Sequence, residues 1–320
     1  MSARLPAPNR GRFIASAVAW AGIAGVARSA RAEGPVLRVG AAANETYAQP
    51  FYAQDNGFFR AAGLNVEITV LTSGAALVAG VTSGALDIAG ASTVAIANAH
   101  AHGLPVYLIA PAGVYNSASP TTGLVVAKDS PLRTAADLDG KTVAVTTLRD
   151  ISQDAVMAWL DKNQGDSSKV QFIELPASEM GNAVQLGRVA AAFIPEPNLT
   201  KAAGQTRYFA SAYDGIAKEF MVIGWLAAKG WIDANTDTAK TYASVMRQTA
   251  AWANKNKRAS AEILAKYAKL PADTIASMHR TSYVQGLNSN LIQPVIDVTA
   301  HYKTLAQSFP ANELFYPGIR

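Results

Sequence analysis

The chain has 320 residues, 50% of them hydrophobic, with 28 basic and 23 acidic residues and a formal net charge of +5. It contains no cysteine, which excludes a zinc–cysteine site, a thiol nucleophile, a disulfide framework and a lipidated cysteine anchor. A chain of this length can bury a large core, either as one domain or as two lobes.

The first 32 residues have the pattern of a secretory signal peptide. Three arginines precede an uncharged apolar stretch from Phe13 to Ala27, and Ala30-Arg31-Ala32 fits an A-x-A cleavage site. At about 15 residues the apolar stretch is shorter than the roughly 20 needed to span a bilayer as a helix. We expect an exported protein that is cleaved near Ala32, with an uncleaved membrane anchor as the alternative. Export without cysteine favours a bacterial periplasm.

The predicted signal peptide carries the excess positive charge. It holds five arginines and no acid, so the residues that follow it contain 23 basic and 23 acidic side chains. A balanced chain has no basic stripe that would attract nucleic acid or anionic lipid at long range. We therefore expect no nucleic-acid partner and no binding to a membrane surface.

After residue 33, short apolar strands alternate with helices. The strands, in chain order, are predicted at 36–40, 66–71, 87–90, 106–110, 124–127, 141–145, 170–174 and 191–194. Helices are predicted through Phe51 and Phe59, from Ser73-Gly74 to before Gly84, from 91–93 to before Gly103, and near 152–162 and 178–187. From about Asp237 onward the pattern is mostly helical. This alternation predicts an α/β fold with mainly parallel sheets flanked by helices, arranged as two series and a helical C-terminal segment.

Four segments stand in an order typical of one protein family. They are Asn56–Glu67, which contains Gly57-Phe58-Phe59; Ser73-Gly74 with Ser83–Ala89; Leu132–Val145; and Gly187–Pro197, which contains Glu196-Pro197. Together they resemble type II periplasmic substrate-binding proteins of ABC importers. The similar branch is the nitrate/sulfonate/taurine type, which also contains binders of thiamine-precursor pyrimidines.

The resemblance implies a two-lobe fold. Lobe one would comprise residues 33–122 and 223–320, and lobe two residues 123–222, with hinge strands near 123–127 and 221–227. A protein of this kind captures a small solute in the interlobe cleft, closes by hinge motion and docks on the membrane permease of an ATP-driven importer. The solute class stays open among sulfonate-, carboxylate- and pyrimidine-like molecules. We expect a monomer without cofactor or catalytic residues.

Four loops are predicted to line the cleft, because ligands of open α/β sheets lie beyond the carboxyl ends of the strands, where helix N-termini point. Backbone N–H groups at such ends favour anions and hydrogen-bond acceptors. Serine also favours N-cap positions for local reasons, so capping alone is the alternative for the serines. The loop residues are Asn44, Ser73, Gly74, Ser92, Thr93 and Ser152.

Charged and aromatic residues complete the candidate site. A guanidinium such as Arg149 can bind a sulfonate or carboxylate bidentately, whereas Glu45, Asp150 and Glu196 can accept hydrogen bonds from amines. The alternative for Arg149 is an ion pair with one of these acids at the cleft rim. Apolar walls and one amide are expected from Tyr47, Tyr115, Asn116 and Trp225, with ordinary packing as the alternative for the aromatic residues.

Two other functions are alternatives to solute import. The resembling family includes eukaryotic thiamine-pyrimidine synthases, which carry a cysteine-rich motif that is missing here. A binding protein coupled to a membrane sensor instead of a permease is the second alternative. His100 and His102 are two positions apart on a predicted helix and do not face each other, so no metal site is expected.

Overall fold

The computed structural model describes residues 1–2, 34–71 and 73–319. The signal peptide predicted at residues 1–32 lies outside the described residues, apart from residues 1–2. The remainder, from Gly34 onward, is one compact unit. Among the described residues, no helix combines the length and the apolar character needed to cross a membrane.

The strands of this unit form two five-stranded sheets and one three-stranded sheet. The first sheet has the order β2-β1-β3-β12-β4 and the second the order β8-β7-β9-β6-β10. Their strands are β1 Val36–Ala41, β2 Asn65–Val70, β3 Ile88–Ser92, β4 Val106–Pro111, β6 Thr122–Ala127, β7 Thr142–Val145, β8 Gln171–Glu174, β9 Ala191–Pro195, β10 Thr206–Ala210 and β12 Ile223–Ala228. The small sheet has the order β11-β5-β13, with β5 Gly113–Asn116, β11 Glu219–Met221 and β13 Ser282–Tyr283.

The two large sheets share one arrangement. In each sheet four strands run in the same direction and one is reversed, β12 in the first sheet and β6 in the second. Each reversed strand lies between the third and fourth parallel strands of its sheet. The mainly parallel α/β fold predicted from the sequence is confirmed, and the reversed strands are a feature that the alternation pattern did not show.

The reversed strands are where the chain passes between the sheets. It leaves the first sheet at β4, runs through β5 and enters the second sheet as β6. It returns from β10 through β11 and re-enters the first sheet as β12. The connecting strands β5 and β11 pair with each other antiparallel, with Phe220 opposite Tyr115. Two neighbouring connections therefore join the two sheets.

Helices cover the sheets. They are α1 Gln49–Asp55, α2 Phe58–Ala61, α3 Gly74–Thr82, α4 Thr93–Ala101, α5 Ile151–Lys162, α6 Ala177–Gln185, α7 Asn198–Ala202, α8 Lys229–Ala234, α9 Thr236–Lys255, α10 Lys257–Ala268, α11 Ala272–Ser277 and α12 Gln293–His301. The helical C-terminal segment is thereby confirmed. The single helix expected through Phe51 and Phe59 is two helices, because the chain turns at Gly57, whose φ of 71° is in the left-handed region that glycine tolerates best.

Candidate ligand-binding site

Asp150 is the point where the two large sheets meet through polar side chains. It lies after β7 of the second sheet and caps the N-terminus of α5. Its Oδ1 accepts one hydrogen bond from the Ile151 backbone N–H at 2.5 Å and another from the Ser92 hydroxyl at 2.7 Å. Ser92 ends β3 of the first sheet. The carboxyl end of β3 and the loop that follows β7 are thus joined by a direct hydrogen bond.

Ser92 and Thr93 begin α4, and both are buried. The Ser92 hydroxyl accepts a hydrogen bond from the Ala95 N–H at 3.0 Å while it donates to Asp150, so capping and a contact between the two large sheets occur together. The Thr93 hydroxyl donates to the Met221 carbonyl at 2.6 Å, and its N–H donates to the Val222 carbonyl. These bonds tie α4 to the connection between β11 and β12.

The N-terminus of α3 faces Asp150. Ser73 precedes this helix, but its side chain makes no capping hydrogen bond. Gly74 is the first helical residue, and a Cβ at this position would lie 3.9 Å from the Asp150 Oδ2. The N-termini of α3 and α5 therefore approach each other on either side of the Asp150 carboxylate.

Aromatic side chains surround this meeting point. Tyr47 and Trp225 are buried and pack over β3 at Gly90, where a Cβ would come within 2.8 Å of the Tyr47 ring and 2.9 Å of the Trp225 ring. Only glycine leaves room for both rings there. The Trp225 indole N–H donates to the Gln49 Oε1 at 2.8 Å. Ordinary packing, which is the alternative to ligand binding for Trp225, is sufficient to explain these contacts.

Tyr115 and Asn116 lie on the connecting strand β5. Tyr115 is fully buried, its hydroxyl donates to the Asp214 Oδ1 at 2.8 Å, and its ring meets that of Tyr213 with centroids 5.1 Å apart. The Asn116 Oδ1 accepts from the Ala118 N–H at 2.8 Å, which shapes the turn into β6. Tyr115 therefore lies in an aromatic cluster beside the connection, with its hydroxyl committed to Asp214.

Glu45 and Asn44 have mainly structural partners. The buried Glu45 Oε1 accepts from the Arg280 Nε at 2.8 Å and from the Thr281 N–H at 3.0 Å. Asn44 caps the single turn that follows it, its Oδ1 accepting from the Tyr47 N–H and the Thr46 hydroxyl. The Glu45 carboxylate is thus held by the C-terminal segment, and a role of Glu45 in ligand binding stays a prediction.

Arg149 and Ser152 flank Asp150 in the loop before α5. The Ser152 hydroxyl closes this loop by donating to the Thr147 carbonyl at 3.1 Å and accepting from its N–H at 3.3 Å. Arg149 is exposed, has a φ of 54°, and donates its N–H to the Gln153 Oε1. Its guanidinium forms no ion pair with any residue that the structure describes, so the expected pairing with an acid at the rim is not found there.

Glu196 follows β9 of the second sheet and is buried. Its Oε2 accepts from the Thr200 N–H at 3.0 Å and its Oε1 from the Thr200 hydroxyl at 2.8 Å. Burial raises the pKa of Glu196, and the nearby His279 opposes this shift. The carboxylate therefore holds the first turn of α7, and contact with a solute remains a prediction.

The electrostatics of the site are dominated by Asp150. Burial raises the pKa of Asp150, the hydrogen bonds from Ile151 and Ser92 oppose this shift, and Glu174 adds to it. Burial, together with the nearby Asp150 charge, also raises the pKa of Tyr47 and that of Tyr213 well above the ordinary value of a phenol. Both tyrosines are thus neutral at physiological pH. Within the described part of the chain, no group of three or more histidine, aspartate or glutamate residues could hold a metal ion.

Tyr213 and Asp154 lie close to Asp150 in this arrangement and were not predicted from the sequence. Tyr213 belongs to a short turn after β10, and β10 itself was not recognised, so nothing marked this turn as a loop at a strand end. Asp154 lies one helical turn after Asp150 on α5, and an acid in the first turn of a helix is locally unremarkable.

Several solved proteins share the fold of this chain. No curated protein sequence matches the chain. The periplasmic aliphatic sulphonate binding protein SsuA of Escherichia coli has a similar structure, with a TM-score of 0.72, 19% identity, and coverage of 89% of this chain and 99% of that one. The alkanesulfonate-binding protein SsuA of Xanthomonas axonopodis pv. citri, solved with MOPS bound, has a TM-score of 0.73 and 19% identity, with coverage of 89% of this chain and 99% of that one. The periplasmic nitrate-binding protein NrtA of Synechocystis has a TM-score of 0.66 and 19% identity, with coverage of 75% of this chain and 69% of that one.

At these identities the similarity establishes the fold, which is that of periplasmic binding proteins. The sequence comparison extends further, because residues 44–260 match the family described as NMT1/THI5 like. That match covers more than half of the chain and includes every strand of both large sheets except β1. The chain belongs to the NMT1/THI5-like family.

Proposed function

We propose that this protein is the solute receptor of an ATP-driven importer and binds a small organic solute between its two large sheets. The observation that carries the proposal is the contact between Ser92 and Asp150, which brings the carboxyl ends of β3 and β7 together from different sheets. Helix N-termini, buried aromatic rings and a carboxylate converge there. This is the kind of mostly apolar site with a few placed polar groups that binds small molecules.

The connections between the sheets support a hinge. On the predicted boundaries, lobe one comprises residues 33–122 and 223–320 and lobe two residues 123–222. The boundaries fall at the connections that lead into β6 and β12, and β5 and β11 pair beside each other there. Two short neighbouring connections allow two rigid bodies to rotate, because only a few residues must change their backbone angles.

The named relatives support a role in transport. The two SsuA proteins bind sulfonates, and NrtA is a periplasmic nitrate-binding protein. We propose that the present protein is likewise exported to the periplasm, with cleavage near Ala32, acts as a monomer and delivers its solute to a membrane permease. Binding and closure require no covalent chemistry, so we assign it no catalytic residues. The solute is proposed to be sulfonate-, carboxylate- or pyrimidine-like.

Thermal unfolding against a panel of such solutes tests the receptor function. A solute at a hundred times its Kd is expected to stabilise the folded protein by about 2.7 kcal/mol, which raises the unfolding midpoint by several degrees. Chemically similar solutes that differ in charge or length serve as controls. A selective shift by one chemical class supports the proposal, and the absence of any shift across the panel contradicts it.

Solution X-ray scattering tests the hinge. Addition of a solute that shifts the unfolding midpoint is expected to reduce the radius of gyration, because contacts to both sheets hold the cleft closed. A solute from the panel that causes no thermal shift is the control and should leave the scattering curve unchanged. Tight binding without compaction would count against closure by a hinge.

A further inference from the structure

Asp150 is a buried carboxylate that lacks a positively charged partner. The residue is only 9% exposed. Its Oδ1 has two hydrogen-bond donors, whereas its Oδ2 accepts no hydrogen bond from any other residue that the structure describes. No lysine, arginine or histidine side chain among the described residues lies within ion-pair distance of it. A buried charge of this kind is costly unless it is paired.

The groups that face Asp150 come from six elements, and none is a cation. The first sheet contributes the Ser92 hydroxyl, the N-terminus of α3 at Gly74 and the Tyr47 ring. The second series contributes the Ile151 N–H, the Tyr213 ring, and two further acids. These acids are Glu174 at the end of β8, whose negative charge adds to the rise in the pKa of Asp150, and Asp154 on α5, whose own pKa is raised by burial and by Asp150. The Arg149 charge lowers the pKa of Asp154 but forms no ion pair with Asp150.

The same carboxylate occupies two of the donors that an anionic solute could use. The Ile151 N–H at the start of α5 and the Ser92 hydroxyl at the start of α4 both point to the Asp150 Oδ1. Free N–H groups at helix N-termini are the usual binding place for sulfonates and carboxylates. Here Asp150 takes that place, and a second anion beside it would be repelled.

We infer that the solute carries a protonated amine or amidinium group, and this inference rests on the proposed receptor function. The cationic group binds the Asp150 Oδ2 beside the rings of Tyr47 and Tyr213. A cation pairs with the carboxylate by a charge-assisted hydrogen bond. Neutral phenol rings next to it add favourable cation–π contact. A solute whose only polar group is a sulfonate, carboxylate or nitrate is excluded.

Matched probes on the purified full-length protein test this inference. Each set combines one hydrocarbon group with an amine, a sulfonate or a carboxylate. The benzyl set is benzylamine, phenylmethanesulfonate and phenylacetate, and the butyl set is butylamine, butanesulfonate and pentanoate. The amine of a set is expected to shift the unfolding midpoint, and the two anions are not. Asp150→Asn is expected to weaken amine binding about 10- to 100-fold, since a hydrogen bond to a charged group is replaced by one to a neutral amide.

Asp150→Asn should fold, because asparagine caps helices as well as aspartate and can still accept hydrogen bonds from Ile151 and Ser92. Asp129→Asn makes the same chemical change at an exposed turn and should leave the amine affinity unchanged. Shifts by the anions alone, or an Asp150→Asn protein that keeps its amine affinity, would overturn the inference and leave the receptor function standing. If none of the six probes and no solute of the wider panel shifts the unfolding midpoint, the receptor function and this inference are refuted together.

Discussion

Arg280→Met is expected to lower the free energy of unfolding by about 3–5 kcal/mol, because it removes one partner of a buried ion pair and leaves the other uncompensated. Arg280 and Glu45 are 8% and 2% exposed, and the Arg280 Nε donates to the Glu45 Oε1 at 2.8 Å. The guanidinium also donates to the Lys257 carbonyl at 2.7 Å and to the Tyr52 and Ser260 hydroxyls, each at 3.0 Å. This single side chain therefore fastens α1 and α10 to the segment before β13.

Urea unfolding of four variants checks this expectation: Arg280→Met, Glu45→Gln, their double variant and a control. Arg258→Met is the matched control, because Arg258 lies on the surface of α10 with its side chain 95% exposed, and its loss should change stability by less than about 0.5 kcal/mol. The double variant Glu45→Gln with Arg280→Met should be less destabilised than the sum of the single variants, because neither charge is then left alone. An Arg280→Met protein as stable as Arg258→Met would show that the pair does not hold this region together.

Asp154→Asn is expected to stabilise the protein at pH 8 and to have little effect near pH 3. Asp154 is fully buried, its Oδ1 accepts from the Thr304 hydroxyl at 2.7 Å, and its Oδ2 has no hydrogen-bond partner within the described residues. Burial raises the pKa of Asp154 from 3.8 to about 7, the hydrogen bond from Thr304 and the charge of Arg149 oppose this shift, and Asp150 adds to it.

The sign of the pH dependence follows from proton linkage. Below pH 3.8 both the folded and the unfolded chain hold the proton, so Asp154 carries no penalty. Between pH 3.8 and about 7 the unfolded carboxyl has ionised while the folded one has not, and stability falls as the pH rises. At about 1.4 kcal/mol for each unit, the full penalty above pH 7 is on the order of 2–4 kcal/mol, and asparagine removes it.

Unfolding free energies at pH 3, 5 and 8 measure this effect, with Asp161→Asn as the control on the same helix. The Asp161 carboxylate is well partnered: it accepts from the Ser167 N–H at 2.8 Å, the Ser167 hydroxyl at 2.9 Å and the Tyr302 hydroxyl at 2.7 Å. Its replacement is therefore expected to cost about 0.5–1.5 kcal/mol instead of stabilising. An Asp154→Asn protein with the same stability difference from wild type at all three pH values would contradict the linkage argument.

Both carboxylates bear on the proposed function. Asp150 and Asp154 lie one turn apart on the helix that meets the first sheet through Ser92 and the C-terminal segment through Thr304. Contacts that cross between the sheets are the ones that a hinge motion would make and break. The same face of α5 is thus expected to respond to the solute through Asp150 and to pH through Asp154.

Local patterns were sufficient for most elements. The apolar run at 36–40, the alternation at 66–71 and the glycines that end α3 and α4 depend only on neighbouring residues, and the structure has strands and helices there. The helix predicted near 152–162 is found as α5, although its N-cap is Asp150 and not Ser152. Elements with little local signal were missed: β10 begins with the polar residues Thr206 and Arg207, and β11 and β13 are only three and two residues long.

The sequence by itself determined the α/β class, the family resemblance and the loops at the strand ends, because turn residues and hydrophobic periodicity act over a few positions along the chain. Only the tertiary structure decided which side chains share those loops. Glu45 pairs with Arg280, 235 positions away, and Ser92 meets Asp150 across 58 positions. The reversed strands β6 and β12 likewise depend on a chain that leaves one sheet and returns much later. Such pairings follow from where the whole chain closes its core, and no local pattern records them.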